Sequence, residues 1–203
     1  MRALAVILCA LQLWPAVLGG PHSHQFVLGH HKQSVQVQNF AWSNCGPSSN
    51  PSIVRTLFLS PDPIVIPGEL TVNVVASTTL ALEAPLKAEV VLEKKLGEMW
   101  LKLPCVEDVG SCTYPDFCAT LDSVIPPGQQ CPEPLQSYGI PCHCPFKAGT
   151  YSLPPSIFYI PNMDLPSFLT NGDYKLQLIL SNGDQQMGCL KMSFSLMAAN
   201  QAF

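Results

Sequence analysis

This sequence predicts an all-β fold: two antiparallel sheets stacked as a sandwich, with one short helix and four disulfides. Three observations lead there. Apolar and polar residues alternate at period two on both flanks of the chain, an Asn-Gly turn separates two such runs near the end, and most cysteines crowd between the flanks. Period two is the repeat of a strand with one buried face, because successive side chains point to opposite sides of a sheet.

The first 34 residues stand apart from this pattern. Met1 and Arg2 lead into an apolar run over residues 3–13, then Trp14, Pro15 and a small-residue exit ending at Gly20. A charged start, an apolar middle and a small-residue exit make residues 1–20 a secretory signal peptide. The run is far short of the ~20 residues that span a bilayer, so a soluble mature chain is expected. Residues 21–34 contain His22, His24, His30 and His31 without a single acid and read as a flexible or trimmed leader. No ordered scaffold backs those histidines, and no metal is assigned to them. One domain is expected over residues 35–203, enough chain for a sizeable core.

The strands follow in order. Residues 53–59 and 64–66 are candidates, separated by the Pro61-Asp62-Pro63 turn. Leu70, Val72, Val74 and Ala76 form one apolar face; Leu86, Ala88, Val90 and Leu92 form another, set against Lys87, Glu89 and Glu93. Residues 99–103 and 157–160 are shorter candidates. Tyr174, Leu176, Leu178 and Leu180 alternate with polar positions, Ser181-Asn182-Gly183-Asp184 intervenes, and Gly188, Leu190, Met192, Phe194 and Leu196 resume the alternation. That is a β-hairpin with an Asn-Gly turn. Strands at this spacing suggest a two-sheet sandwich.

The middle is different in kind. Between Cys105 and Cys144 there is little alternation and one short helix candidate, from Pro115 toward Val124. Of nine cysteines Cys9 falls in the signal peptide, leaving eight: Cys45, Cys105, Cys112, Cys118, Cys131, Cys142, Cys144 and Cys189. An even number in a secreted chain implies four disulfides, with about 105 pairings open from spacing alone. Zinc is the weaker reading, since no Cys-x-x-Cys pair exists and Cys142-His143-Cys144 sends successive side chains apart.

Composition excludes several functions. Apolar residues make up 47% of the chain and charged residues 12%, roughly half the usual charged share. Such a chain can line a greasy space as well as fill a core. Without residues 1–34, which hold Arg2 and Lys32 but no acid, 8 basic side chains face 14 acidic ones, a net charge of −6 that disfavours nucleic acid. Catalysis finds little to work with. His143 is the one histidine of the domain, pinned between two cysteines, and neither a Gly-x-Ser-x-Gly elbow nor a Gly-rich phosphate loop occurs. Glu107, Asp108 and Glu133 read as ordinary loop acids, so no catalytic residue is assigned and the chain is not expected to be an enzyme.

What stands out is apolar material where polar loops belong. Across residues 157–169 prolines interrupt regular structure while Phe158, Ile160, Met163, Leu165, Phe168 and Leu169 continue the grease. Leu96, Met99 and Trp100 flank a tight turn at Gly97. Each residue alone could be core; as a group they read as a rim that touches lipid or membrane.

Several motifs carry a family resemblance. Trp42-Ser43-Asn44-Cys45, Pro61-Asp62-Pro63-Ile64, Gly110-Ser111-Cys112-Thr113, Cys131-Pro132-Glu133-Pro134-Leu135 and Tyr138-Gly139-Ile140-Pro141-Cys142-His143-Cys144-Pro145-Phe146-Lys147 are similar to those of the MD-two-related lipid-recognition (ML) domain family, in its ganglioside-activator branch. The likeness runs over about residues 38–197. It implies a β-sandwich splayed into a cup with a large apolar lipid cavity. It also implies the pairings Cys45–Cys189, Cys105–Cys112, Cys118–Cys144 and Cys131–Cys142, and a mobile membrane-facing rim at Trp100 and residues 165–170. The implied partners are a ganglioside or other glycosphingolipid, β-hexosaminidase A, and an anionic vesicle membrane surface; no cofactor is implied. The implied activity is non-enzymatic: extracting the lipid and presenting it for degradation. General transfer of phospholipid, sterol or fatty acid is the alternative.

Two departures qualify that expectation. Where the family commonly carries a glycosylation site this chain reads Pro67-Gly68-Glu69-Leu70-Thr71, and Asn50-Pro51-Ser52 is blocked by proline, leaving no usable sequon. That argues against glycan-tagged delivery; the expected location is the secretory pathway, ending in the lysosome or outside the cell. Phe168 replaces the rim tryptophan of the family's Leu-Pro-Ser-Trp motif, keeping the apolar surface without the indole donor.

Overall fold

The computed structural model describes residues 40–162 and 169–199. The signal peptide, the leader, and rim residues Met163, Leu165 and Phe168 lie outside the described residues. The chain forms β1 (Ala41–Asn44), β2 (Ser52–Ser60), β3 (Ile64–Ile66), β4 (Gly68–Thr78), β5 (Lys87–Leu96), β6 (Met99–Lys102), β7 (Thr113–Tyr114), α1 (Phe117–Val124), β8 (Gly149–Ile160), β9 (Gly172–Asn182) and β10 (Gln185–Ala198).

Two sheets result. The larger has seven strands in the order β1-β10-β9-β5-β6, with β3 added parallel to β10 and β7 paired to β5; the smaller is β2-β4-β8. Every other pairing is antiparallel. Register aligns the apolar phases: Leu92 stands opposite Leu176 and Leu176 opposite Met192, while Val90, Leu178 and Leu190 make the next row. Directly opposed residues share a face, so the alternation of each strand becomes one continuous apolar wall.

Three local features differ from the sequence expectation. The last hairpin turns at Gly183-Asp184, because Asn182 pairs with Gln185 and belongs to the strand; Gly183 supplies the positive φ of 56°. The helix starts at Phe117 rather than Pro115. Asp116 caps it, its carboxylate accepting from the Cys118 amide at 3.0 Å and from the Leu86 amide of the β5 approach at 3.1 Å. Residues 157–160 end a strand of 12 residues that runs through Pro154 and Pro155. β8 is an edge strand, where a missing N–H costs no ladder bond, and the prolines sit where the pairing with β4 slips between Val72 and Val74.

Four disulfides tie the frame: Cys45–Cys189 joins the end of β1 to β10, Cys118–Cys144 anchors α1, and Cys105–Cys112 and Cys131–Cys142 close loops of the irregular middle. The tightly packed core is small and sits at the α1 end. Leu86, Cys118 and Met187 form it, with Leu82, Phe117, Cys144 and Leu180 against them.

Candidate functional site

In a filled sandwich the inward side chains of both sheets interdigitate and lose nearly all contact with water. Here they do not. Leu70, Val72 and Val74 on β4, Val90 and Leu92 on β5, Leu176 and Leu178 on β9, and Leu190, Met192, Phe194 and Leu196 on β10 all stay only half-buried. The sheets approach closely along one side, β2 against β1 and β10; β4 and β8 make no comparable approach to β5 and β9. The line where the two sheets meet therefore runs along β2.

The hollow has a base and a mouth. At the base a cavity of about 240 Å³ lies between the sheets, lined by Ile53, Val54, Ala76 and Tyr151 from one and Leu178, Leu180 and Leu190 from the other, with Leu82 and Phe146 from loops. That is below the ~300–1,000 Å³ of a small-ligand site, so it fits the end of a hydrocarbon chain. The remainder of such a chain must lie along the half-buried apolar walls. The mouth is formed by the β5–β6 turn, the end of β8 at Ile160 opposite Gly68, and the start of β9 at Gly172 opposite Leu196.

The rim candidates divide by strand phase. Leu96 pairs with Met99 and Lys94 with Leu101, on the inward phase of β5, yet Leu96, Met99 and Leu101 are 49%, 74% and 52% exposed. Large apolar side chains bare at the lip of an apolar hollow are the surface a lipid or bilayer would meet. Trp100 pairs with Lys95 on the opposite face, half-buried, with the Lys175 ammonium 4.1 Å from its ring centre. Phe158 and Ile160 point inward from β8 and are half-buried, whereas their neighbours Ile157 and Tyr159 are exposed on the outer face. Leu169 is half-buried beside the start of β9.

One charged group stands inside this apolar surround. Lys94 continues the inward phase Ala88, Val90, Leu92 and is only 5% exposed. Its ammonium donates to the Tyr174 hydroxyl at 2.9 Å and to the Asn171 carbonyl, and lies 4.5 Å from the Tyr174 ring centre. The Tyr174 hydroxyl in turn donates to the Leu169 carbonyl at 2.7 Å, and its ring stacks on Phe194 at 5.7 Å. Burial pushes the lysine below the ordinary 10.5, although Asp173 acts to raise it; burial also lifts the Tyr174 hydroxyl to about 12. The sequence signal for this group was a lysine on an apolar strand phase, and reading the strand only as far as Leu92 misses it. Leu101 is missed for the same reason: the inward phase is set by pairing with β5.

Nothing in the described residues gathers catalytic groups. His143 Nδ1 lies 2.9 Å from Asp122 Oδ1, and its buried Nε2 has no hydrogen-bond partner among the described residues. No nucleophile stands in this pair's hydrogen bonds, and among the described residues no three His, Cys, Asp or Glu side chains cluster as a metal site. No helix among the described residues is long and apolar enough to cross a membrane.

The pattern of splayed sheets and four bridges has a match in sequence. The family model of the ML domain matches residues 39–196. The chain belongs to the ML-domain family. Among ML-domain relatives, the ganglioside GM2 activator of Macaca fascicularis is 54% identical over 158 residues, 78% of this chain and 83% of that protein. The ganglioside GM2 activator of Mus musculus is 48% identical over 165 residues, 81% of this chain and 86% of that one. A solved structure, the Niemann-Pick type C2 protein from Japanese carpenter ant, aligns with 77% of this chain and 99% of its own at 15% identity and a TM-score of 0.40.

Proposed function

We propose that this ML-domain protein is a non-enzymatic lipid carrier that lifts a ganglioside or related glycosphingolipid out of an anionic membrane and offers its sugar head to β-hexosaminidase A. One observation carries the lipid-binding part: two apolar walls, one on each sheet, whose side chains stay only half-buried. Hydrocarbon is the material that gains most from such walls, at ~0.8 kcal/mol per buried methylene. The lipid forfeits the same amount on leaving the bilayer, so extraction is near neutral and head-group contacts decide preference. The ganglioside part rests on relatives 54% and 48% identical that are named ganglioside GM2 activators. In this reading the hydrolytic carboxylates belong to the hexosaminidase, and the protein works in the lysosome or outside the cell.

The test mixes purified protein with ganglioside vesicles, with and without β-hexosaminidase A. Hydrolysis that requires both proteins supports the proposal. Transfer between vesicles without stimulation of the enzyme would replace it with general lipid transfer, and hydrolysis by this chain alone would make it a glycosidase.

A further inference from the structure

We propose that Lys94 is an anion-recognition point just inside the mouth of the cup, taking a phosphate or carboxylate oxygen of the lipid head group and so selecting acidic over neutral lipids. The inference rests on the lipid-carrier reading above and assigns the cup its polar contact.

Position comes first. Along the inner face of the larger sheet the rows run from Leu180 at the base through Leu178 and Leu176 to Tyr174, which stands opposite Lys94. A chain lying on these walls with its tail in the base brings its polar junction to the Lys94 row. Beyond that row are Leu96 and Met99, the lip itself.

The bonding state of the lysine comes second. An ammonium carries three donors. Two are satisfied by neutral acceptors, the Tyr174 hydroxyl and the Asn171 carbonyl, and among the described residues no carboxylate lies within ion-pair distance. Asp173, whose charge acts on Lys94, is on the other strand phase and accepts from the Ser195 hydroxyl at 2.7 Å, and Glu93, the chain neighbour of Lys94, is likewise on the other phase. A buried cation that no carboxylate of the described residues ion-pairs is costly to keep, and an anionic ligand adds opposite charge beside it. Perturbed groups of this kind concentrate where a ligand uses them.

The surroundings are built to hold the ammonium there. Gly172, at a φ of 116°, leaves the space it needs, since a Cβ at that position would stand 2.7 Å from the Lys94 nitrogen. The stacked Tyr174 and Phe194 rings form the floor beneath it. Phosphate in a phospholipid and sialate in an acidic glycolipid offer the same anionic oxygen, at different distances from the hydrocarbon.

Phosphatidylcholine vesicles doped with phosphatidic acid, diacylglycerol, a sialylated glycosphingolipid or its desialylated form test this. Lipid carried by the re-isolated protein is quantified by mass spectrometry. The wild type is expected to take up at least one acidic lipid in preference to its neutral counterpart. Lys94→Met should lose about tenfold of that acidic uptake with neutral uptake unchanged, and Lys94→Arg should retain the preference. Which acidic lipid is lost identifies phosphate or sialate as the group recognised. Lys94→Met should also melt at the same or a higher temperature than the wild type. Equal loss of acidic and neutral uptake, or none, would overturn the assignment and leave Lys94 as a latch on the turn before β9. A wild type that takes up lipid without acidic preference overturns it too while leaving the carrier reading intact; one that takes up no lipid at all overturns both.

Discussion

Cys45 and Cys189 lie with their Cα atoms 5.0 Å apart and close 144 residues of chain into one loop. The bridge fastens edge strand β1 to β10, beside the line where the two sheets meet. In the chain-entropy model a loop this long is worth about 5 kcal/mol. Replacing both cysteines with serine should therefore lower the melting temperature by about 10–20 °C in a calorimetric scan. A change of a degree or two would show that this line is held by packing alone.

An open cup makes truncations unequal. Leu86 is 1% exposed in the packed end, and Leu86→Ala should cost about 3–4 kcal/mol in urea unfolding. Leu176 is half-buried on the wall, so Leu176→Ala should cost about 1–2 kcal/mol, because water already reaches part of the side chain removed. Similar costs for the two would mean the hollow is filled. With hydrocarbon bound, the Leu176 cost should rise.

Lys94 and Tyr174 give stability a particular dependence on alkaline pH. Burial lowers the lysine below 10.5, so the native protein releases that proton before the unfolded chain does. From the native value up to 10.5 the unfolded state binds more protons, and stability climbs with pH. Tyr174 works in the opposite sense: raised to about 12, it keeps its proton in the native state above pH 10 while the unfolded chain has lost it, and stability falls. Urea midpoints across this range should lose the climb in Lys94→Met and the fall in Tyr174→Phe. Identical profiles in wild type and both variants would contradict the burial of the pair.

The lip should act on membranes rather than on the fold. Met99 is 74% exposed, so Met99→Ser should leave the melting temperature within a degree while reducing vesicle binding about five- to tenfold. Trp100→Ser on the opposite face and Phe168→Ser separate two ways of docking. Loss in Met99→Ser and Phe168→Ser without loss in Trp100→Ser would place the membrane against the mouth alone, and loss in Trp100→Ser would extend contact around the turn. Unchanged binding by all three would remove the rim from the proposal.

Much of the frame was legible because it is local. Alternation in residues 70–76 and 86–92 and the hairpin after Leu180 needed only the pleat of a strand, and the Asn-Gly turn was wrong by a single step. The ends of elements were less legible. Asp116 caps α1 by reaching both the helix and the Leu86 amide, a contact across 30 residues that no local pattern carries. β1 and β7 were not anticipated, being four and two residues long and defined by the strands they join.

The sequence by itself determined the strand phases, the even set of cysteines, the low charge and the family to which these motifs belong, because each is a property of neighbouring residues or of composition. Only the tertiary structure decided that the packed core gathers at the α1 end, that Trp100 turns away from Leu96 and Met99, and that Lys94 stands within the apolar wall. Those outcomes follow from register and from which sheet edges meet, and both are set by pairings between residues far apart in the chain. Hydrophobic patterning dictates that a face leaves water; whether it closes on another protein face or is left for a hydrocarbon chain depends on how the two sheets are joined.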